Sequence, residues 1–210
     1  GLMKIAAEAY GKLHPDIKID VLPSLGTGGG IKALAKGAVD IGLSGRPLND
    51  DERKLDIKQI EYAKTPFVFM VNEEVNISDV KTRDILDIYG GKKLTWPDGR
   101  RLRLVLRPES DSDSDMLRTI SPEMAGILKT ALSKSGMIMA VTSQESAESG
   151  EKTPGAFGTS TLSLLITENR RVKILSFNGH KPVARGSAVK SYPLLNETPR
   201  RKQRGIITDL

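Results

Sequence analysis

Two stretches of this sequence carry residue types that hold small anions. In the first, Gly26-Thr27-Gly28-Gly29-Gly30-Ile31-Lys32 lies between an alternating apolar segment and a helical pattern. The first N–H groups of a helix have no internal partner and its dipole favours negative charge, so glycines there let an anion approach the backbone. In the second, Arg107 closes an apolar run and is followed by Ser110-Asp111-Ser112-Asp113-Ser114-Asp115. Hydroxyls, backbone amides and a planar guanidinium together make half of an oxyanion site, and an aspartate there accepts a hydrogen bond from a protonated ligand oxygen. A tight turn is the structural alternative for the glycines. For the Ser/Asp run it is a solvated loop that caps the next helix.

Other chemistries fail at identifiable positions. Gly30-Ile31-Lys32-Ala33 lacks the Gly-Lys-Ser/Thr ending of a P-loop, and a dinucleotide fingerprint starting at Gly26 needs glycine where Ile31 stands. Gly42-Leu43-Ser44-Gly45-Arg46 resembles a nucleophile elbow until Arg46 replaces its last glycine. Asp111, Asp113 and Asp115 have the opening spacing of a calcium loop, yet Met116 takes its glycine position and Pro122 its glutamate position. His14 and His180 sit in turn-like contexts without metal-ligand spacing, and the sequence has no cysteine. A binding protein without catalysis, cofactor or metal is the expectation.

The elements that must position these loops follow from periodicity. Leu2, Ile5, Ala6, Ala9, Tyr10 and Leu13 form a helical stripe with no cleavage-site pattern before it. Ile17, Ile19 and Val21 alternate as a half-buried strand, the loop from Pro23 to Gly30 leads into a helix at Ile31, and Val39 to Ser44 reads as the next strand. Asn49 to Glu52 is an acidic helix start, and Phe67 to Val71 is a continuous apolar run that suits a strand buried on both faces. The helix around Ile85 to Tyr89 stops at Gly90-Gly91, and Pro97-Asp98-Gly99 is a turn. Arg101 to Leu106 is a strand, Ser121-Pro122-Glu123 starts a helix, and Met137–Val141, Gly155–Gly158 and Val172–Phe177 are further strands. Strands alternating with helices give an α/β class with mainly parallel sheets.

Composition adds limits. At 210 residues the chain fits one large domain or two small ones, and no run approaches the ~20 apolar residues of a membrane span. The net charge of +6 invites a nucleic-acid reading, but Arg200, Arg201, Lys202 and Arg204 supply four of those charges in the last eleven residues. The body is nearly balanced, and 4% aromatic residues are too few for a base-stacking platform. A basic tail on a near-neutral domain, with no nucleic-acid partner, is expected.

The order of these motifs resembles the phosphate-binding proteins of phosphate ABC transporters. Leu22-Pro23-Ser24 followed by the glycine turn, then Val39-Asp40-Ile41-Gly42-Leu43-Ser44 and Pro47-Leu48, is similar to the first half of that family. Thr65-Pro66-Phe67-Val68-Phe69-Met70-Val71-Asn72 resembles its crossover strand. Leu86-Asp87-Ile88-Tyr89-Gly90-Gly91-Lys92 with Trp96, Arg107 with its Ser/Asp loop, Thr153-Pro154-Gly155-Ala156-Phe157-Gly158 and Ser191-Tyr192-Pro193-Leu194 complete the series.

The resemblance implies an α/β, two-lobed periplasmic-binding-protein (Venus-flytrap, type II) fold with mixed or parallel sheets. One lobe would be 1–67 plus 189–210 and the other 68–188. It implies Ser24, Ser44, Arg107, Ser110 and Ser112 as ligand contacts, with Asp111 or Asp113 as acceptor; Thr27 and Gly28 join them through the glycine turn. It further implies a monomeric periplasmic or extracytoplasmic protein that hands phosphate or a similar oxyanion to an ABC transporter permease. A sensory or adhesive module on the same fold is the alternative. Three departures stand out. The family's first strand with its Ser/Thr anion loop has no counterpart here. Gly45-Arg46 stands where phosphate-selective members carry an aspartate, and Arg46 adds a second candidate cation. After Leu194 the basic stretch Thr198-Pro199-Arg200-Arg201-Lys202-Gln203-Arg204 replaces the family's apolar segment and helix.

Overall fold

Phe67-Val68-Phe69-Met70-Val71 carries no polar side chain, and it becomes the strand on which the fold is built. In the computed structural model, which describes residues 1–183 and 192–194, all six residues of β1 (Phe67–Asn72) are buried. β5 (Ala156–Thr161) runs antiparallel to it with Phe69 opposite Thr159, and β6 (Val172–Ile174) is antiparallel on its other side. β3 (Arg103–Leu106) lies parallel to β5, and β4 (Ile138–Met139) parallel to β3, which gives the order β4-β3-β5-β1-β6. The sheet is therefore mixed, not mainly parallel, because β1 opposes both neighbours. β2 (Asp79–Val80) and β7 (Ser176–Phe177) pair separately in parallel.

The two faces of β1 bury different layers, as alternation along a strand requires. Phe67, Phe69 and Val71 enter the main core with Phe157, α3 (Thr82–Tyr89) and α5 (Met124–Leu132), where the Phe69 and Phe157 rings stack at 5.6 Å. Val68 and Met70 enter a second cluster with Ala147 of α6 (Ser143–Lys152) and Leu162 and Leu165 of α7 (Leu162–Thr167). Pro97-Asp98-Gly99 is a turn, with the Gly99 N–H donating to the Trp96 carbonyl at 2.9 Å. The Trp96 indole N–H donates to Gly155 O at 2.9 Å; at Gly155 (φ +74°) an added Cβ would lie 2.2 Å from Arg101 O, so only glycine fits.

Residues 1–66 depart from the expected pattern. α1 (Leu2–Leu13) forms, yet buries none of its residues. Ile17–Val21 and Val39–Ser44 enter no ladder among the described residues, and Ile19 and Ile41 are 44% and 76% exposed. Alternation describes one strand, whereas a ladder also needs a neighbouring chain. α2 (Gly26–Ala35) starts five residues earlier than expected, since the glycines themselves form its first turn, and Asn49–Glu52 yields a single 3-10 turn (Glu52–Lys54).

Later boundaries shift less. α5 begins at Met124 with no side-chain cap, the Ser121 carbonyl and not its hydroxyl accepting from the Met124 N–H. The Val172–Phe177 stretch divides between two sheets. Tyr192 and Leu194 pack into the main core, and the Leu194 carbonyl accepts from the Phe67 N–H. The basic stretch 198–204 lies outside the described residues. No described helix is long and apolar enough to cross a membrane.

Candidate anion-binding site

β3 carries Arg107 into the interior behind buried Leu104, Val105 and Leu106, leaving the residue 3% exposed. Its Nη2 donates to Asp111 Oδ2 at 2.8 Å and to the Val141 carbonyl at 3.4 Å. Its Nε and Nη1 are buried and have no hydrogen-bond partner. A buried donor left unpaired carries its full desolvation penalty, about 1–3 kcal/mol and more for a charged group, so two on one guanidinium mark a place for an acceptor.

The Ser/Asp run folds as a cap and a short helix. Asp111 precedes α4 (Ser112–Arg118), and its Oδ1 accepts from the Asp113 N–H at 3.0 Å while Oδ2 faces Arg107. Asp113, two residues on, turns inward to accept from Thr159 Oγ1 at 2.7 Å. Burial chiefly pushes its carboxyl up, with Arg107 opposing, Asp111 adding repulsion and the Thr159 bond opposing, and the result is about 6. Ser114 donates to Pro108 O at 2.8 Å and ties the loop to the strand end.

The N-terminal turn of α2 abuts this constellation. A Cβ at Gly26 (φ +68°) would lie 3.4 Å from Val141 O and 3.9 Å from Asp111 Oδ2, the two groups that Arg107 Nη2 binds. Thr27 is buried and its Oγ1 accepts from the Gly45 N–H at 3.1 Å. A Cβ at Gly45 would come within 2.7 Å of Ser112 Oγ, so the 44–46 loop presses on the start of α4.

The structure thus brings Thr27, Arg107, Asp111 and Ser112 to one place, with Asp113 behind them. Gly28 lies in the first turn of α2, and a Cβ there would meet nothing within 4 Å. Ser24 and Ser110 are exposed, the Ser24 hydroxyl accepting from the Gly26 N–H at 3.3 Å. Ser44 folds onto its own turn, donating to Arg46 O at 2.5 Å. Arg46 does not offer a free fork. Nη1 and Nη2 bond the two Glu52 oxygens at 2.7 and 2.8 Å, and Nε faces Asp115 at 3.6 Å. Sequence reasoning missed Gly45, Thr159 and the Val141 carbonyl. Thr159 was within reach of it, because it shares a face of β5 with Phe157; a backbone carbonyl leaves no signal.

Comparisons with known proteins agree with this architecture. A substrate-binding protein of a phosphate ABC transporter from Clostridium perfringens, solved with bound phosphate, superposes with a TM-score of 0.75 at 21% identity, over 92% of this chain and 77% of that one. An ABC-type phosphate transport receptor from Vibrio cholerae gives a TM-score of 0.56 at 20% identity, over 92% and 78%. Among curated relatives, the phosphate-binding protein PstS 2 of Streptococcus pneumoniae is 34% identical over 95 residues, which is 45% of this chain and 32% of that protein. The phosphate-binding protein PstS of Staphylococcus aureus is 32% identical over 98 residues, 43% of this chain and 30% of that protein. The matched stretch therefore spans about a third of the length of these curated relatives. The α/β fold with its mixed sheet is the fold of these two solved proteins. A family model for the PBP superfamily domain matches residues 1–199, nearly the whole chain, and the protein belongs to that family.

Proposed function

We propose that the chain is an extracytoplasmic solute-binding protein that captures phosphate or a similar small oxyanion, without chemistry, for an ABC transporter. The observation that carries this reading is the pair of unpartnered, buried donors on Arg107, set beside the N-terminal turn of α2. In the proposed complex Arg107 Nε and Nη1 bond two oxygens of the anion in a fork. The Thr27 hydroxyl, the Gly28 N–H and the Ser112 hydroxyl supply further donors, and Asp111 is the acceptor for a protonated oxygen. Ser24, Ser44 and Ser110 stand at the rim, and Asp113 supports the floor through Thr159. Residues 1–67 and 68–188 are the two lobes, closing on the ligand as a monomer before docking on a membrane permease. Of the 189–210 segment expected with the first lobe, Tyr192 and Leu194 pack instead with the core of the second, and 195–210 lie outside the described residues. The names of the relatives, which are phosphate-binding and transport proteins, support the choice of ligand and partner.

Calorimetric titration with inorganic phosphate, sulfate, molybdate and small carboxylates tests the reading. Saturable binding of phosphate that Arg107→Ala abolishes or weakens strongly is the expected result. Equal affinity of wild type and Arg107→Ala for every anion would overturn it.

A further inference from the structure

Arg46 faces α4 across the 44–46 loop, but its fork is occupied by Glu52, six residues along the same segment. That bidentate pair, helped by a 2.8 Å bond from Nη1 to Pro47 O, fixes the guanidinium so that only Nε faces across to α4. There it meets Asp115 at 3.6 Å. Arg46 is 13% exposed and Glu52 15%, so the pair is screened less than a surface ion pair, while Asp115 is 49% exposed. The Glu52 bond foremost, then the charges of Glu52, Asp115 and Asp111, hold the guanidinium in its charged form against its burial.

Asp115 lies one helical turn beyond Ser112 on the same side of α4, and Ser112 is the residue pressed by Gly45, the neighbour of Arg46. One contact is steric, the other ionic, and both join the 44–46 loop to α4. The Gly45 N–H in turn donates to Thr27. Resting on the oxyanion reading for its effect on ligand only, we infer that Arg46 is a positioning residue: an ionic tie between the segment 1–66 and α4 that holds Thr27 and Gly45 in register with Ser112 and Arg107. The cation that replaces the family's carboxylate here acts on closure of the cleft, through Asp115, and does not touch the ligand.

The sequence has no cysteine, so two labels can be placed without background. Spin labels on Lys36→Cys at the end of α2 and Lys129→Cys on α5, both exposed, report the distance between the two parts by pulsed electron resonance. Arg46→Gln and Asp115→Asn are each expected to broaden or lengthen that distribution, with Asp115→Glu restoring it. The double variant should match Arg46→Gln alone. Arg118→Gln removes the other partner of Asp115, at 2.8 Å, and should leave the distribution unchanged. In titrations with inorganic phosphate, Asp115→Asn should weaken binding by about two- to fivefold, the scale of a partly exposed ion pair. An unchanged distribution in both Arg46→Gln and Asp115→Asn, with native circular dichroism, would overturn the tie. Absence of any heat with phosphate and sulfate in the wild type would count against the binding reading instead, and the label distances would still decide the tie.

Discussion

Arg107 Nη2 donates a 2.8 Å hydrogen bond to Oδ2 of Asp111, and the two side chains are 2% and 6% exposed. This is a buried ion pair only half satisfied on the cationic side, since Nε and Nη1 have no partner. Such a pair is poor evidence of stabilisation, but removal of one member leaves an uncompensated buried charge.

Arg107→Ala should therefore act twice. Loss of the hydrogen bonds to a charged ligand should weaken phosphate binding by about 1.5–3 kcal/mol. Stranding Asp111 should lower the unfolding free energy by about 3–5 kcal/mol, measured by urea denaturation. Asp111→Asn, which keeps an oxygen for the Asp113 N–H, should destabilise less than Asp111→Ala, because only the latter loses the helix cap. Equal losses for the two substitutions would remove the capping role.

Asp113 gives the fold a pH dependence. Its carboxyl is raised from 3.8 to about 6, chiefly by burial, so between these values the native state holds a proton that the unfolded chain has lost. Stability from this group therefore falls as pH rises through that window, by up to roughly 3 kcal/mol at about 1.4 kcal/mol per unit. Asp113→Asn still accepts from Thr159 without the charge. Its stability relative to wild type should rise from about pH 4 to pH 6.5 in parallel denaturation curves. A flat difference would mean that Asp113 titrates normally.

The glycine turn separates backbone from charge. A methyl at Gly28 meets nothing, so Gly28→Ala should fold at least as stably as wild type, with up to about 1 kcal/mol gained from helix propensity. Lys32 is exposed in the last turn of α2, away from the N–H groups of its first turn. Gly28→Val should weaken phosphate binding more than Lys32→Ala does. The reverse order in calorimetric titrations would make charge attraction the driving force at this loop.

Local patterns made much of this readable. The apolar run 67–71, the turn at Gly99 and the place of Arg107 at a strand end depend on neighbours in sequence, and all three appear in the structure. Ile17–Val21 and Val39–Ser44 have an equally good alternation but no ladder, because pairing depends on chain elsewhere. Within Ser110–Asp115 the residue types repeat every second position, so sequence could not say which face inward. The start of α4 at Ser112 decides it, making Asp111 the cap, turning Asp113 toward Thr159, 46 residues away, and leaving Ser110 outside. The fork between Arg46 and Glu52 was hidden for the same reason: long charged side chains choose partners only once the backbone has folded.

Selectivity is where the chain's departure from the phosphate-specific pattern should be felt. A buried carboxylate acceptor gains a hydrogen bond from a protonated oxyanion and meets lone-pair repulsion from sulfate, which carries no proton. At the usual place for that acceptor stand Gly45, pressed against Ser112, and Arg46, occupied by Glu52 and Asp115. Asp113 already accepts from Thr159 behind the site, whereas Asp111 turns Oδ2 toward Arg107 and the first residue of α2. Asp111, beside the unpartnered donors of Arg107, is thus the carboxylate proposed for that role. Wild type should bind phosphate in strong preference to sulfate at both about pH 6 and about pH 8.5, since phosphate keeps at least one proton at each. Asp111→Asn can donate as well as accept, so it should admit sulfate and cut the preference at least tenfold, about 1.4 kcal/mol, in competition titrations. Asp113→Asn should leave it nearly unchanged. A strong phosphate preference that survives Asp111→Asn would remove Asp111 from this role and place the acceptor elsewhere in the cleft.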